Sequence, residues 1–550
     1  MSRRFITANR AQSSLLPPSR DDWVEEGHLV RFLHDCIEQF DLSEFTSSYS
    51  REGGSPYDPK MMLTLLLYAW CLGIRSSRKI AAACHERIDF RWAAGNVRPD
   101  HCAFARFFQR HGEAIKDLFT QVLCLCGRVG AIRLGVVSLD GTKVGANASL
   151  SANRTLSRLR AEIERMEAEM LRQDAADEAR CGAGGDGEDL PEELRRQRDR
   201  LARLRAAKES LELDWAAERV LSASSSSGES GEGRGSGTGA SSPCPAQGEL
   251  PFGAGQSSAA PGPSSVPAQQ PGSAVGVGDA VEQPAALAGA RTEQPAALSV
   301  PEAAVGERGA ASAAAATQGD EAGSAETKAP RQSGQKSKKS GKKKEARVNV
   351  TDPESRIMKG RSGLVQAYNA QAVVTPEQFV VACEVVQDEN DLHQLQPMLS
   401  KLKRLLAAAG IEALPKRLAA DAGYWLKDLN IEELEQAGPE LFIATCNPRN
   451  QPKETPRGRL PQSATATERM TRKLSTQTGR KTYQQRGKTV EPVFGQIKEC
   501  LNARRFLRRG LEKARQEWSL LCSCLNLRKL SVWLGKKKGG KGLGTVLAAG

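Results

Sequence analysis

Zinc-type ligand spacing is missing from this chain. Its 13 cysteines are scattered with no Cys-x2-Cys pair, and the six histidines (His28, His34, His85, His101, His111, His393) stand at no zinc-ligand spacing from them. Cys71, Cys84, Cys124, Cys126, Cys522 and Cys524 lie in apolar stretches, which fits reduced, buried thiols of an intracellular protein. Aromatic residues make up only 5% of the chain, which argues against a carboxylate-pair glycosidase, because sugar sites rely on aromatic platforms. No apolar run is long enough for a bilayer. Met61 to Ile74 is broken by Thr64 and falls short of the ~20 residues that a spanning helix needs, so it reads as a buried core helix. Met1-Ser2-Arg3-Arg4 leads into polar sequence rather than an apolar signal segment, so a cytoplasmic protein with no membrane partner is expected.

What the chain has in excess is positive charge. A formal net charge of +13 and a pI near 9.2 favour a polyanionic partner, since a basic surface gains affinity by releasing counterions from nucleic acid. The 550 residues allow two or more domains, although part of the sequence is too polar to join a core.

From about Asp21 to Gly127 the apolar spacing is helical. Leu29, Phe32, Leu33 and Ile37 form one stripe, and Met62, Leu65, Leu66 and Trp70 another. An all-helical domain over 14–127 is expected. Within it Gly73 closes one helix and Ser76-Ser77 open the next, so Arg75, Arg78 and Lys79 are candidates for phosphate contact from a helix-turn-helix; a plain helical hairpin with a solvated basic face fits equally. Leu134 to Val144 then reads as a buried strand ending at Asp140, in a first core segment over 131–150.

Leu156, Leu159, Ile163, Met166 and Met170, followed by Leu194, Leu201, Leu204, Leu211 and Trp215, predict an antiparallel coiled-coil hairpin over 151–220, joined by a glycine-rich turn from Cys181 to Asp189. Residues 221–347 are Ser, Gly, Ala, Pro and Gln with few large apolar residues, ending in a basic run from Lys336 to Arg347; a disordered insertion is expected. Order is expected again over 348–534: a hairpin from Leu364–Val374 and Phe379–Val386, a helix capped by Asp391, a strand at Leu418–Ala420 ending on Asp421, and another at Leu441–Cys446. A flexible basic tail over 535–550 follows.

Asp140 and Asp421 thus stand at strand ends, where ligand sites of open α/β sheets collect. Thr489 is read as an N-cap, with Pro492 and Glu491 in the first turn of the helix that follows. Glu491 and Lys498, seven apart, share a helical stripe. Taken singly, Asp140 closes a turn, Asp421 ends a strand and Glu491 favours a helix start. Jointly they form an oxygen-only ligand set suited to two Mg²⁺ or Mn²⁺ ions and to in-line phosphoryl transfer, with Tyr483, Arg486 and Lys498 read as phosphate contacts in preference to simple surface exposure.

These pieces resemble DDE transposases of bacterial insertion sequences, the branch with a Tyr-Arg-Glu-Lys signature. The resemblance rests on Val137-Ser138-Leu139-Asp140-Gly141-Thr142-Lys143 with Ala146-Asn147-Ala148-Ser149, on Tyr368-Asn369-Ala370-Gln371, on Ala420-Asp421-Ala422-Gly423-Tyr424, and on Val490-Glu491-Pro492-Val493-Phe494-Gly495-Gln496-Ile497-Lys498. It covers roughly Ser14–Val220 and Val348–Leu534, and departs at Arg486, which precedes Glu491 by four intervening residues where the family has three. The resemblance implies an α/β, ribonuclease-H-like catalytic core and a Mg²⁺- or Mn²⁺-dependent enzyme. Such an enzyme cuts double-stranded DNA at terminal inverted repeats and joins 3′ ends to target DNA, acting as a homo-oligomer. Asp140, Asp421 and Glu491 would hold the metal, and Tyr483, Arg486 and Lys498 would support DNA. A nuclease or resolvase on the same fold, and an inactive DNA-binding descendant, are the alternatives.

Overall fold

The structure is a computed structural model that describes residues 19–49, 55–181, 192–226, 346–360, 363–426, 430–446 and 458–537, with side chains left out at 174–181, 192–195 and 217–226. The chain divides into two units, Met1–Ser230 with Gly341–Gly550, and Gly231–Ser340; all described residues belong to the first. The expected disordered insertion falls almost wholly on 227–345, and the glycine-rich turn on 182–191, both outside the described residues.

Among the described residues, a short 3-10 turn (Arg20–Trp23) is followed by seven α-helices: α1 (Leu29–Glu38), α2 (Ser43–Ser47), α3 (Pro59–Cys71), α4 (Ser77–Glu86), α5 (Ile88–Ala93), α6 (His101–Arg110) and α7 (Gly112–Arg128). Their starts follow local chemistry. Asp58 accepts from the Lys60 and Met61 amides with Pro59 at the first helical position, and Asp100 accepts from the Ala103 amide. α3 is buried from Met62 to Cys71, as its apolar run requires. Gly73 ends it at φ 75°, and a Cβ there would lie 2.8 Å from the Cys500 carbonyl, so the turn needs glycine twice over.

The strands are β1 (Val136–Gly145), β2 (Asn153–Thr155), β3 (Arg347–Asn349), β4 (Arg356–Gly360), β5 (Gly363–Val374), β6 (Val380–Val386), β7 (Arg417–Ala420) and β8 (Glu440–Ile443). Six of them make one mixed sheet in which β5, β1, β7 and β8 lie in order, with β4 and β6 sharing the other edge of β5. β1 is antiparallel to β5 and parallel to β7, and β7 is parallel to β8. The remaining helices are α8 (Leu156–Cys181), α9 (Glu192–Ser226), α10 (Leu395–Ala408), α11 (Ile431–Gln436), α12 (Ala466–Ser475), α13 (Gln477–Glu499) and α14 (Leu511–Lys537). This is an α/β protein with an N-terminal helical region.

One apolar cluster joins α1, α3 and α7 to α13, α14 and the Tyr368/Ala370/Ala372 face of β5. A second packs α10 and α12 against Val137, Leu139, Leu418 and Leu441 on the opposite face. α14, for which the sequence pattern set no expectation, is the common wall of the helical region and the sheet. Its Asn526 side chain accepts from the Val380 amide and donates to the Val380 carbonyl.

α8 and α9 pair through Leu159, Ile163, Met166, Leu201, Leu204, Ala207 and Leu211, and ion pairs Arg160–Glu212 and Arg205–Glu167 set the two helices antiparallel. Trp215, which the heptad places in that seam, is instead 56% exposed. α14 runs to Lys537, past the 535 boundary of the expected tail, and α9 runs past 220. Among the described residues no helix is long and apolar enough to cross a membrane.

Candidate active site

A strand presents alternate side chains to opposite faces. Ser138, Asp140 and Thr142 of β1 face α13, which bonds all three. Thr489 Oγ1 donates to Ser138 Oγ at 2.7 Å, Arg486 Nη1 donates to Asp140 Oδ2 at 2.7 Å, and Lys498 Nζ donates to Thr142 Oγ1 at 2.6 Å. Val137 and Leu139 point the other way, into the α10 core. The apolar alternation of β1 therefore decides which face of the sheet carries the carboxylate.

Parallel pairing of β1 with β7 stops at Leu139 opposite Ala420, and the next residue on each chain segment is an aspartate. Asp140 does not end its strand as expected. β1 continues to Gly145, paired with β5, so the carboxylate marks the end of the parallel pairing rather than of the strand. Nor does Gly141 form a turn: a Cβ there would overlap Asp391 Oδ1 and lie 2.5 Å from Gln371 Nε2. Asp421 does follow β7 directly, accepting from the Gly423 amide at 2.9 Å.

Burial pushes the Asp140 carboxyl up to about 7; Arg486 pulls against that, Asp421 adds to it, the Gly141 amide opposes it and Asp391 adds again. Asp421 is raised too, by burial first, against the Gly423 amide and Arg486. Burial also opposes the charge of Arg486, but Asp140, Tyr483, Asp421 and Glu491 more than offset it and its pKa is raised. The two partners of one ion pair thus differ in sign. The guanidinium gains from several acceptors, while Asp140 faces two further carboxylates and does not recover its lost hydration. The deficit sits on the aspartate.

Glu491 lies well inside α13, not in its first turn. The N-cap is Thr476, which accepts from the Gly479 amide, and Thr489 spends its hydroxyl on Ser138 and on the Gln485 and Arg486 carbonyls. Pro492 withholds the N–H that would reach the Lys488 carbonyl, and Gln378 Nε2 donates there instead, at 3.3 Å. A side chain from the β5–β6 turn thus lets a proline sit mid-helix, and the helix-dipole argument for Glu491 falls. The Glu491 side chain is 63% exposed and its carboxylate is 3.8 Å from Arg486 Nη2. Tyr483 is half-buried against the α10 core, its ring centroid 5.9 Å from the Arg486 guanidinium carbon, and burial raises its hydroxyl pKa. One arginine therefore links Asp140, Glu491 and Tyr483.

Arg75, a candidate phosphate contact by sequence, is turned inward. It pairs with the fully buried Glu517 at 2.8 Å and donates to the Asn502 and Arg505 carbonyls. Arg78 and Lys79 are exposed on α4.

Asp391 caps no helix: α10 begins four residues later with no side-chain cap. Its Oδ1 accepts from Asn369 Nδ2 and Gln371 Nε2, each at 2.7 Å, and Tyr424 donates to Gln371 Oε1, which fixes that amide's orientation. Lys143 Nζ is buried nearby without a hydrogen bond; burial lowers its pKa against the pull of Asp391, Glu389, Asp421 and Asp140. Sequence reasoning gave this group no role. The available signal was two amides, Asn369 and Gln371, on alternate positions of a strand that is largely apolar, where buried polar groups need partners.

A hard divalent cation fits this donor set. All candidate donors are oxygens, Asp140 and Asp421 carry an electrostatic deficit that a cation would offset, and Asn369 Oδ1 is buried without a partner. Among the described residues, ligand atoms of Asp140, Asp421 and Glu491 do not all fall within 4.8 Å of one another; the one such group is His34, Asp35 and Glu38 on α1.

Residues 18–110 match the family model described as a transposase domain (DUF772), which spans α1 to α6, and residues 444–531 match a transposase DDE domain, which spans α12, α13 and most of α14. No curated protein and no solved structure matches the chain. The two matches support a DDE transposase of the insertion-sequence type, a protein of DNA transposition.

Proposed function

We propose that the protein cuts double-stranded DNA at element ends and transfers the 3′ ends to target DNA, through a ribonuclease-H-like core of the Tyr-Arg-Glu-Lys branch. The carrying observation is the pair Asp140 and Asp421, adjacent at the point where β1 and β7 stop pairing, with Arg486 reaching both Asp140 and Glu491. The strand order supports this reading: three antiparallel strands (β6, β5, β1) continue into two parallel ones (β7, β8), with an acidic residue at the junction.

Asp140, Asp421 and Glu491 are the residues that would hold two Mg²⁺ or Mn²⁺ ions, which would supply activation of the attacking oxygen and stabilisation of the leaving one. The chain's own side chains do the rest. Arg486 pairs with Asp140 and, at 3.8 Å from Glu491, has a second carboxylate to turn to. Thr489 ties α13 to β1 beside Asp140, so the helix carrying Glu491 keeps its position relative to the strand. Lys498, tied to Thr142, puts a cation beside the same strand for a DNA phosphate. Because Glu491 is largely exposed, its carboxylate is open to an incoming strand.

The test is nicking and joining of duplexes carrying the DNA that flanks the gene, in Mg²⁺. Asp140→Asn, Asp421→Asn and Glu491→Gln should each abolish nicking and leave end binding within a fewfold of wild type. Nicking at wild-type rates by any one of them removes that residue from the site. Cutting by wild type without joining would identify a nuclease or resolvase, and binding without cutting an inactive descendant.

A further inference from the structure

The segment between α13 and α14 carries a basic run, Arg504, Arg505, Arg508 and Arg509, followed by Lys513 on α14. It does not dangle. Phe506 and Leu501 are fully buried, the Phe506 amide donates to the Gly145 carbonyl, and the Leu507 and Arg508 amides donate to Glu517, which also accepts from Arg75. The buried Arg75–Glu517 pair thus fastens three parts together: the α3–α4 turn, the 501–510 segment and α14.

Between them lies a cavity of about 660 Å³, at the seam of the helical region and the sheet. Its wall includes Arg75, Arg508, Arg509 and Lys513 against a single carboxylate, Glu517, which Arg75 already neutralises. Arg508 is half-buried over the Phe108 ring and held by Gln516, while Arg509 and Lys513 are exposed. The other side is the start of α4, Ser76 and Ser77, where Ser76 provides no side-chain cap to the first-turn amides. One more donor stands in this wall without an acceptor, the indole Nε1 of Trp70, which is 3% exposed. Excess cations, an uncapped helix start and an orphaned donor all call for an anion.

We propose that this seam is a phosphate-binding groove for the backbone of duplex DNA, gripping it between the helical region and the catalytic core. Lys513 and Arg509 make the outer contacts and the α4 start the inner one. Arg75 keeps the groove in shape rather than touching DNA. The inference rests on the transposase reading, whose family matches make DNA the polyanion; the assignment of Asp140, Asp421 and Glu491 is not needed for it.

Removing one phosphate-binding cation should reduce the slope of log K against log salt by ~0.9, so the double variant Arg509→Gln/Lys513→Gln should reduce it by ~1.8. The measurement is fluorescence anisotropy of a labelled duplex between low and moderate salt, using the full chain, with thermal melting to establish that both proteins are equally folded. Arg404→Gln, the same type of charge change at an exposed position of α10, should leave the slope alone. An unchanged slope in the double variant, or an equal loss for Arg404→Gln, overturns the groove. If the slope falls as stated while Asp140→Asn nicks like wild type, the groove stands and the catalytic assignment fails.

Discussion

Replacing Asp140 by asparagine should stabilise the metal-free protein, and the gain should depend on pH. The carboxyl moves from an ordinary 3.8 to about 7 on folding, because burial outweighs the Arg486 pairing. The folded protein therefore holds this proton more tightly than the unfolded chain. The folded state gains nothing from the ionised form here: the stability tied to the bound proton is fully present below about pH 4 and is lost as pH rises through 7. At about 1.4 kcal/mol per tenfold change in proton affinity, the full loss is ~4 kcal/mol. Roughly 2 kcal/mol of it has accrued by pH 5 and the remainder by pH 8. Asp421, also raised by burial, adds in the same direction. Asparagine keeps the shape and cannot ionise, so the gap between Asp140→Asn and wild type should widen by ~2–3 kcal/mol from pH 5 to pH 8, a few degrees in Tm. Thermal unfolding in EDTA across that range measures it. Parallel pH curves for the two proteins, or a less stable variant at pH 8, would refute the claim that Asp140 carries an uncompensated burial cost. Added Mg²⁺ should close the gap from the wild-type side, since a ligand of the ionised site stabilises only the protein that has one.

Arg75→Ala should cost ~3–5 kcal/mol, because it leaves Glu517 charged and buried, whereas Arg78→Ala/Lys79→Ala should stay within ~0.5 kcal/mol; urea unfolding compares them, and weaker DNA binding by Arg75→Ala at full stability would contradict the inward placement. Gly141→Ala should destabilise by ~1–3 kcal/mol, since the new methyl displaces Asp391 and Gln371, and wild-type stability in that variant would show that this cluster does not fill the space above Gly141.

Much of the fold is legible from patterns with one physical solution. The α3 run could only be a buried helix, and the β5–β6 hairpin shows as two β-rich runs around Thr375–Gln378. Asp421 is legible because its strand is short and ends there. The sequence places Asp140 on the correct strand but at the wrong point, because local pattern does not say that β1 outlasts its parallel neighbour and continues against β5. Arg75 misleads for a related reason. A basic residue beside a turn looks solvated until a distant glutamate, Glu517, is known to be buried opposite it.

Glu491 shows most directly how a long-range contact overrides a local rule. Proline at a helix interior removes one hydrogen bond and leaves one carbonyl bare, which is why Pro492 reads locally as the mark of a helix start. α13 instead continues through it, because Gln378 serves the bare Lys488 carbonyl from a turn more than a hundred residues earlier in the chain. The same glutamine accepts from Lys529 on α14 and from Gln496 on α13, so one side chain binds the hairpin to both helices. The consequence is that Glu491 stands in mid-helix, anchored upstream by Thr489 on Ser138 and downstream by Lys498 on Thr142. It therefore moves with β1 as one body while its own carboxylate stays exposed. An acid at a frayed helix start would have its position set by the loop before it; Glu491 has its position set by the strand that carries Asp140.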